Sequence, residues 1–478
     1  MKKTRIIVMA AVMAAIWMVC GEAAAQGKVP ESFAGRWWLG ILSEGQLPLN
    51  ITFERLDAYD EAGERSRQLT PVVYSPAQTK EALYPTKWSM DGDTLRFMHS
   101  RTGVNLRLIW DADDSSFSGQ FKQGYMRTSI KFEQSKGMFS PVRPQDPIPP
   151  YPYTEEDVTI VCKSGVTLTG TLTLPEEKYG KSVPAVVLVS GSGQQNRDEE
   201  LMFHRPFKVL ADYLTRAGIA VLRYDDRGVG GSRGEVRTAT TDDFSDDAEE
   251  VLRYLSKHKR VDPKRVGMVG HSEGALIACM VASRNKAVKY VVLLGGQSGT
   301  GAEVLLQQNE QLFKAMGVPQ NLVDVRLQCM KAIFAAADSV PPERYEKKFV
   351  QIMDKVCGNL TNEERKQISM RRADAAMWAQ QISLPWMKRF LELDNGRYLE
   401  KMKQPVLAVT GEKDLQVPPV NLGQIKSRTK GRAEIHEMPQ LNHLMQHCKN
   451  GLPEEYMSID ETFSPEVMDL ITKWVLSR

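Results

Sequence analysis

Residues 265–280 read Arg-Val-Gly-Met-Val-Gly-His-Ser-Glu-Gly-Ala-Leu-Ile-Ala-Cys-Met. The apolar run at 266–269 predicts a buried strand, and the small and apolar residues after Gly274 predict a helix packed on a sheet. Between them, residues 270–274 fit Gly-x-Ser-x-Gly, a sharp turn that strains the serine backbone and lifts its hydroxyl clear of the sheet. This context predicts that Ser272 is a nucleophile, the alternative being a buried structural serine.

A second stretch, residues 230–234, also fits Gly-x-Ser-x-Gly. It follows the polar residues 225–227 and precedes another polar stretch, so no strand enters it and no apolar helix leaves it directly. The nucleophile turn needs both of those elements. We therefore expect Ser232 to be an ordinary loop residue.

Length and composition bound the class of protein. A chain of 478 residues is too long for one ordinary core and predicts two or three domains. Hydrophobic residues make up 42% and charged residues 25%, as in soluble globular proteins. A net charge of +3 does not provide the basic surface that a nucleic-acid partner requires.

Residues 1–25 have the pattern of a secretory signal peptide. A basic start precedes an apolar core at 6–20, and Ala23-Ala24-Ala25 forms a small-residue cleavage site. A retained membrane anchor is the alternative, but the apolar run is shorter than the ~20 residues needed to span a bilayer. We expect export to a bacterial periplasm and no stable membrane insertion after cleavage.

The cysteine pattern does not indicate a disulfide-bonded fold. Of six in the chain, Cys20 lies in the predicted signal peptide, which leaves an odd number at wide spacing. That pattern argues against a disulfide framework and against a zinc site built from paired cysteines.

Residues 27–140 predict a small antiparallel β domain. Short runs alternate apolar and polar residues between turn signals, which is typical of a sandwich or barrel. Residues 141–152 contain many prolines and predict an extended, semi-rigid linker.

Residues 153–478 alternate strand and helix patterns, which predicts an α/β domain with a parallel sheet. Functional sites lie at the carboxyl ends of such strands. Helical patterns without strands at about 297–400 interrupt the alternation and predict a helical cap. Bulky residues where the cap returns to the sheet can wall a substrate pocket; these are Trp378, Trp386 and Met387.

A catalytic serine needs a base and an orienting acid, in the order serine, acid, histidine for this architecture. His271 adjoins the serine and is expected to point elsewhere. His443 lies just past the last predicted strand, at the catalytic edge, with His447 as a reserve. Asp414 lies in the loop after the strand that ends at Thr410; Glu412 and Asp394 are weaker candidates.

The developing oxyanion needs backbone N–H donors. One is predicted from Glu273, which follows the nucleophile at a helix N-terminus. The second is predicted from the loop after the first parallel strand, at Ser192. A glycine-rich loop can instead cradle phosphate, but this one has neither Gly-x-Gly-x-x-Gly nor a Lys-Ser/Thr pair.

Five stretches between residues 185 and 443 occur together: 191–193 with Arg197-Asp198, 226–232, 270–274, 411–414 and Asn442-His443. In combination they resemble the bacterial α/β-hydrolase carboxylesterases near the serine aminopeptidase-like group. The resemblance implies an α/β-hydrolase fold with a helical cap insertion. Residues 27–140 are similar to the lipocalin-like domain of secreted members. Family members usually have proline and aspartate where this chain has Gln194 and Asn196.

The residues predict a serine-dependent acyl hydrolase, most simply a carboxylesterase acting on a small-molecule ester through an acyl-enzyme. No metal or organic cofactor is implied. A serine peptidase of the same fold is the nearest alternative, because esters and amides share a tetrahedral intermediate. A third alternative is a non-catalytic binding protein on this scaffold. The presence of a complete set of Ser, Asp and His residues disfavours it.

Overall fold

A computed structural model describes residues 25–26, 29–42, 47–59, 65–77, 82–123 and 126–478. The predicted signal peptide lies outside these residues except for Ala25, which begins the first strand. Ten strands form one sheet: β1 (Ala25–Gln26), β2 (Trp37–Leu42), β3 (Leu47–Tyr59), β4 (Arg65–Tyr74), β5 (Ala82–Leu83), β6 (Lys87–Asp91), β7 (Thr94–His99), β8 (Val104–Asp111), β9 (Ser116–Gln123) and β10 (Met126–Ser135).

This N-terminal sheet has the order β1-β6-β7-β8-β9-β10-β2-β3-β4-β5, and all its pairs are antiparallel except β1 with β6. Along β8 buried and exposed residues alternate, because one face packs on the core and the other meets solvent. The buried face is rich in aromatic rings. Trp38 is fully buried among Phe33, Phe53 and Phe117.

The proline-rich segment after β10 is docked on the rest of the molecule. Neither helix nor strand occurs between Ser135 and Thr154. Arg143 is buried and donates to the carbonyls of Ile459 (2.6 Å) and Met202 (2.8 Å). The charged side chain of Arg143 therefore ties the segment to two distant loops.

The second sheet has eight strands in the order β11-β12-β14-β13-β15-β16-β17-β18; all its pairs from β13 with β14 onward are parallel. Its strands are β11 (Thr154–Val161), β12 (Thr167–Leu174), β13 (Val183–Val189), β14 (Ala220–Tyr224), β15 (Val261–His271), β16 (Val291–Leu294), β17 (Val406–Gly411) and β18 (Ala433–Met438). The helices beside it are α1 (Pro206–Arg216), α2 (Thr241–Leu255), α3 (Glu273–Arg284), α10 (Asn395–Lys401), α11 (Val420–Arg428) and α12 (Pro465–Leu476).

Both faces of this sheet are covered. Every residue of β13 and of β16 is buried, as expected for strands packed on two sides. Helices α1 and α12 contribute to the core on one face. Helices α2, α3, α10 and α11 contribute to the core on the other.

The cap lies between β16 and β17 and has its own apolar core, centred on residues such as Phe349 and Met353. Its helices are α4 (Gly301–Ala315), α5 (Gln320–Ala337), α6 (Tyr345–Val356), α7 (Asn362–Gln367), α8 (Ala375–Ser383) and α9 (Pro385–Glu392). Within the helical patterns predicted at about 297–400, residues 363–381 have the pattern of one long helix but do not form one. Ser369 has a φ of 51°, and the chain turns there between α7 and α8.

The observed architecture confirms the predicted fold class, a small all-β domain followed by an α/β domain with a helical insertion. Within the described ranges, no helix is long and apolar enough to cross a membrane.

Candidate active site

Ser272 occupies a strained turn between β15 and α3. Its φ is 55° and its ψ is −118°, a combination that residues with a Cβ rarely adopt. Its backbone N–H donates to the carbonyl of Leu294 on the neighbouring strand (2.9 Å). The turn therefore places the serine at the carboxyl edge of the parallel sheet, at the N-terminus of α3.

Two glycines make this turn possible. A Cβ on Gly274 would lie 2.0 Å from the carbonyl oxygen of Val189. A Cβ on Gly270 would lie 2.1 Å from the carbonyl oxygen of Gly274. Both obstacles are backbone atoms, so only glycine fits at these two positions of the motif.

His443 and Asp414 form a buried pair. Nδ1 of His443 lies 2.8 Å from Oδ2 of Asp414, and the two residues are 3% and 1% exposed. The other carboxylate oxygen accepts the backbone N–H groups of Gln416 (2.9 Å) and Val417 (2.8 Å). The carboxylate is therefore fixed as an acceptor for Nδ1–H, and this tautomer leaves Nε2 of His443 able to take a proton.

The pair and the serine are at the same edge of the sheet. Gly295 directly follows Leu294, whose carbonyl binds the backbone of Ser272. A Cβ on Gly295 would lie 3.0 Å from the ring of His443 and 3.2 Å from Asp414. The end of β16 thus binds the backbone of Ser272, and the residue that follows it lies against the His443–Asp414 pair.

Asn442 shapes the loop that carries His443. Its side-chain oxygen accepts the backbone N–H groups of Leu444 (2.9 Å) and Gln446 (3.0 Å). Its backbone N–H donates to the carbonyl of Gln446 (2.9 Å). These contacts within one short loop orient the backbone on both sides of the histidine.

The loop after β13 passes close to the serine. A Cβ on Gly191 would lie 3.2 Å from the Cβ of Ser272. The next residue, Ser192, is one of the two predicted oxyanion donors, and its side chain acts to lower the pKa of the Glu273 carboxyl group, against the larger effect of burial. Farther along, the backbone N–H of Gln195 donates to buried Asp226 (2.9 Å), a carboxyl group whose pKa burial raises well above its ordinary value.

Glu273, the other predicted donor, is the first residue of α3 and has a buried side chain. Its Oε1 accepts hydrogen bonds from Thr241 Oγ1 (2.7 Å) and from Trp386 Nε1 (2.8 Å). Burial raises the pKa of this carboxyl group, against the opposing effect of its hydrogen bonds. A cap residue, Trp386, thus contacts the turn that holds the nucleophile.

The three residues predicted to wall a pocket have different surroundings. Trp386 of α9 reaches Glu273 and stacks on Phe390 with a centroid separation of 5.3 Å. Trp378 lies in the cap's own core beside Arg326, and Met387 packs against that same core. Sequence position alone did not separate these environments.

The weaker candidates lie elsewhere. His447 pairs with Glu461 (2.9 Å) and its side chain is 47% exposed. Glu412 accepts the backbone N–H of Gln440, and Asp394 caps α10. None of these contacts involves Ser272.

Ser232 is held by the backbone around it. Its hydroxyl donates to the carbonyl of Asp225 (2.8 Å) and accepts the backbone N–H of Thr169 (2.9 Å). The carboxylate of Asp225 is in turn bound by the guanidinium of Arg197 (2.7 Å). In this segment the motif closes a loop.

A second buried histidine–acid pair, His271 with Glu199, was not predicted from the sequence. Nδ1 of His271 lies 2.9 Å from Oε1 of Glu199, and its Nε2 donates to the backbone carbonyl of His443 (2.9 Å). His271 and Glu199 are 72 residues apart, so no local pattern could have linked them.

The part of the chain that the structure describes contains no cluster of three or more His, Cys, Asp or Glu side chains that could hold a metal ion. All five described cysteines are free thiols, and four of them are buried.

Comparison with known proteins gives several similarities. Esterase EstD of Thermotoga maritima is 26% identical over 334 residues, which cover 69% of each chain. The esterase Pf2001 structure from Pyrococcus furiosus is 17% identical, with a TM-score of 0.40, over 68% of this chain and 93% of that one. A hypothetical protein structure, PA2218 of Pseudomonas aeruginosa, is 16% identical, with a TM-score of 0.43, over 71% of this chain and 99% of that one.

A family model described as the alpha/beta hydrolase fold matches residues 184–447. The match begins in β13, takes in the turn at Ser272 and the whole cap, and extends past His443. Because it includes more than half of the 478 residues, the chain belongs to the alpha/beta hydrolase fold family.

Proposed function

We propose that the protein is a serine-dependent carboxylesterase that cleaves small to medium esters through an acyl-enzyme. The observation that carries this proposal is the buried His443–Asp414 pair at the sheet edge where Ser272 stands in a strained turn. The similarity to EstD, an esterase, agrees with ester cleavage.

In the proposed acylation step, Oγ of Ser272 attacks the ester carbonyl as Nε2 of His443 takes the hydroxyl proton. A tetrahedral intermediate forms, and its collapse expels the alcohol, which receives that proton from His443. The same histidine then activates water, and attack on the acyl-enzyme releases the carboxylic acid and restores Ser272.

Asp414 has an electrostatic role in both steps. With its carboxylate already fixed by two backbone N–H groups, it can hold Nδ1–H of His443 in place and stabilise the imidazolium that forms. The backbone N–H groups of Glu273 and Ser192 are the proposed donors to the oxyanion, because the first begins α3 and the second lies in the loop over the serine.

We also propose that the protein is exported to a periplasm. The support is the N-terminal pattern alone, a basic start, an apolar core and an Ala-Ala-Ala cleavage site. Expression in a bacterial host, fractionation and N-terminal sequencing test this; a mature protein that begins after Ala25 is expected, and a cytoplasmic full-length chain would contradict the proposal.

The function is tested by two measurements on one preparation. A fluorophosphonate probe followed by peptide mapping should label Ser272, because only an activated serine reacts with it readily. Turnover of p-nitrophenyl esters of rising chain length is compared with turnover of aminoacyl-nitroanilides. Ester cleavage that disappears in Ser272→Ala is expected; faster cleavage of the nitroanilides would favour a peptidase.

A further inference from the structure

A continuous chain of hydrogen bonds runs behind the proposed triad. The backbone N–H of Gly191 donates to Oε1 of Glu199 (2.6 Å), and the same oxygen lies 2.9 Å from Nδ1 of His271. Nε2 of His271 then donates to the carbonyl of His443 (2.9 Å). The chain therefore joins three separate segments: the loop after β13, the end of β15 and the loop of the proposed base.

The hydrogen-bond partners indicate the charges of His271 and Glu199. A carbonyl oxygen only accepts, so Nε2 of His271 carries a proton. Oε1 of Glu199 accepts the N–H of Gly191 and also lies 2.9 Å from Nδ1 of His271; a carboxylate that accepts from both groups requires a proton on Nδ1 as well. With both ring nitrogens protonated, His271 is an imidazolium ion and Glu199 is its counter-ion.

The electrostatic effects agree with this assignment. Burial by itself lowers the pKa of His271, but the charge and hydrogen bond of Glu199 outweigh burial, and the pKa is raised above its ordinary value. The carbonyl of His443 and the charge of Asp414 act in the same direction.

Packing at Gly191 shows how closely the segments meet. A Cβ on this glycine would lie 3.2 Å from Oε1 of Glu199, 3.2 Å from the Cβ of Ser272 and 3.5 Å from Nδ1 of His271. A shift of Glu199 or His271 would therefore displace the Gly191 loop, which lies over the nucleophile.

We propose that Glu199 and His271 are positioning residues whose buried ion pair fixes the Gly191 loop and the backbone of His443 relative to Ser272. Both side chains are nearly buried, so removing one partner leaves an uncompensated group in the interior. This inference rests on the proposed serine hydrolase function and adds two residues that act through the triad.

The pair also affects the proposed base through space. The rings of His271 and His443 are 4.7 Å apart at their centroids, with Glu199 bound to the ring nitrogen that does not reach His443. The groups facing His271 are Glu199, His443 and Asp414. The charge of His271 therefore acts at short range on the ring of His443 when that ring takes up the serine proton during catalysis.

The experiment compares Glu199→Gln, His271→Gln and His271→Phe with the unmodified protein. The readouts are kcat, KM, the pH profile of kcat/KM on a p-nitrophenyl ester, and thermal melting. Each variant is expected to lower kcat by about 10- to 100-fold with KM within about twofold of its original value, because orientation of the reacting groups is lost and binding is kept.

The pH profile distinguishes a positioning role of Glu199 and His271 from a role in stability alone. In all three variants the cationic charge beside His443 is lost, since His271 is replaced or, in Glu199→Gln, gives up its proton when its counter-ion is removed. The acid limb of kcat/KM should therefore move to higher pH. His271→Gln retains an N–H donor and should recover part of the kcat lost in His271→Phe.

His204→Gln is the matched control. His204 is also buried and bonded to a backbone carbonyl, that of Tyr456 (2.8 Å), and to the hydroxyl of Thr462 (3.0 Å). Its loss should lower the melting temperature and leave the acid limb in place.

An unchanged kcat and acid limb in the Glu199 and His271 variants would overturn the inference. So would losses that only parallel the fall in melting temperature seen for His204→Gln. Failure of the unmodified protein to label at Ser272 would instead overturn the proposed function, which distinguishes the two.

Discussion

Two segments of this protein carry the same Gly-x-Ser-x-Gly pattern and use it differently. Ser272 stands in a left-handed turn with a φ of 55°. Ser232 is not among the residues with positive φ, and both its donor and acceptor capacity go to backbone groups of Asp225 and Thr169. The pattern specifies a compact turn in both cases, and only the strand and helix around Ser272 expose the hydroxyl at the sheet edge.

The glycines of the two motifs also differ in what surrounds them. Around Ser272 they are required because backbone atoms of the neighbouring strand and turn lie where a Cβ would be. In the other segment Gly234 has a φ of 151°, and the nearest atom to its missing Cβ is a side-chain carbon of Val166 at 3.1 Å. The first segment is constrained by the close approach of backbone atoms. The second is constrained by positive φ at both of its motif glycines together with side-chain contacts, the shortest being 2.6 Å from the Cβ position of Gly230 to the carboxylate of Asp225.

The largest expected difference between the segments is in catalysis. Ser272→Ala should reduce kcat for ester hydrolysis by about 10⁴- to 10⁶-fold, because the nucleophile is gone and only binding and oxyanion contacts remain. Steady-state kinetics on a p-nitrophenyl ester measure this. Ser232→Ala should keep most of the activity, and an equal loss in both variants would contradict the different roles of the two serines.

The second difference is in stability. Gly274→Ala should lower the free energy of unfolding by about 3 kcal/mol or more, because its methyl group would collide with the Val189 carbonyl 2.0 Å away. Gly234→Ala should cost about 1 to 2 kcal/mol, since its strain is mainly conformational. Urea denaturation of both variants compares them, and a larger loss for Gly234→Ala would contradict the packing argument.

Ser232→Ala should itself lower the free energy of unfolding by about 1 to 3 kcal/mol. The substitution leaves the carbonyl of Asp225 and the N–H of Thr169 without their hydroxyl partner in a buried loop. Chemical denaturation followed by circular dichroism measures the change. A variant as stable as the original would mean that water or a neighbouring group replaces the hydroxyl.

The smallest effect concerns the cap, which contacts the Ser272 segment. Trp386→Phe keeps the ring and removes the N–H that donates to Glu273, so kcat should fall about threefold to tenfold, the equivalent of one hydrogen bond. Trp378→Phe is the control, because its indole N–H has no partner in the described residues and lies in the cap core. An equal effect of the two substitutions would argue against a specific Trp386 contact.

The sequence could predict what is encoded locally. Apolar runs and turn residues located β15, α3 and the loops of His443 and Asp414, and the structure brings the last two within hydrogen-bonding distance. Their catalytic roles, with that of Ser272, stay predictions.

Features that depend on distant partners were missed. Strand β4 begins Arg-Ser-Arg-Gln, which looks like a loop until it pairs with β3. The contact between Trp386 and Glu273 spans 113 residues. Neither composition nor periodicity carries information about such pairings, because they arise when separate elements pack.

The proline-rich segment after β10 is held in place by two side chains at a fixed distance along the chain. Arg143 and Gln145 lie two residues apart and bind backbone groups of one short stretch, at Ile459 and at Thr462 and Phe463. These two anchors hold the segment to a single stretch of chain, residues 459–463. A one-residue insertion between them would break at least one contact, so this junction should tolerate changes of residue type between its anchors far better than changes of length.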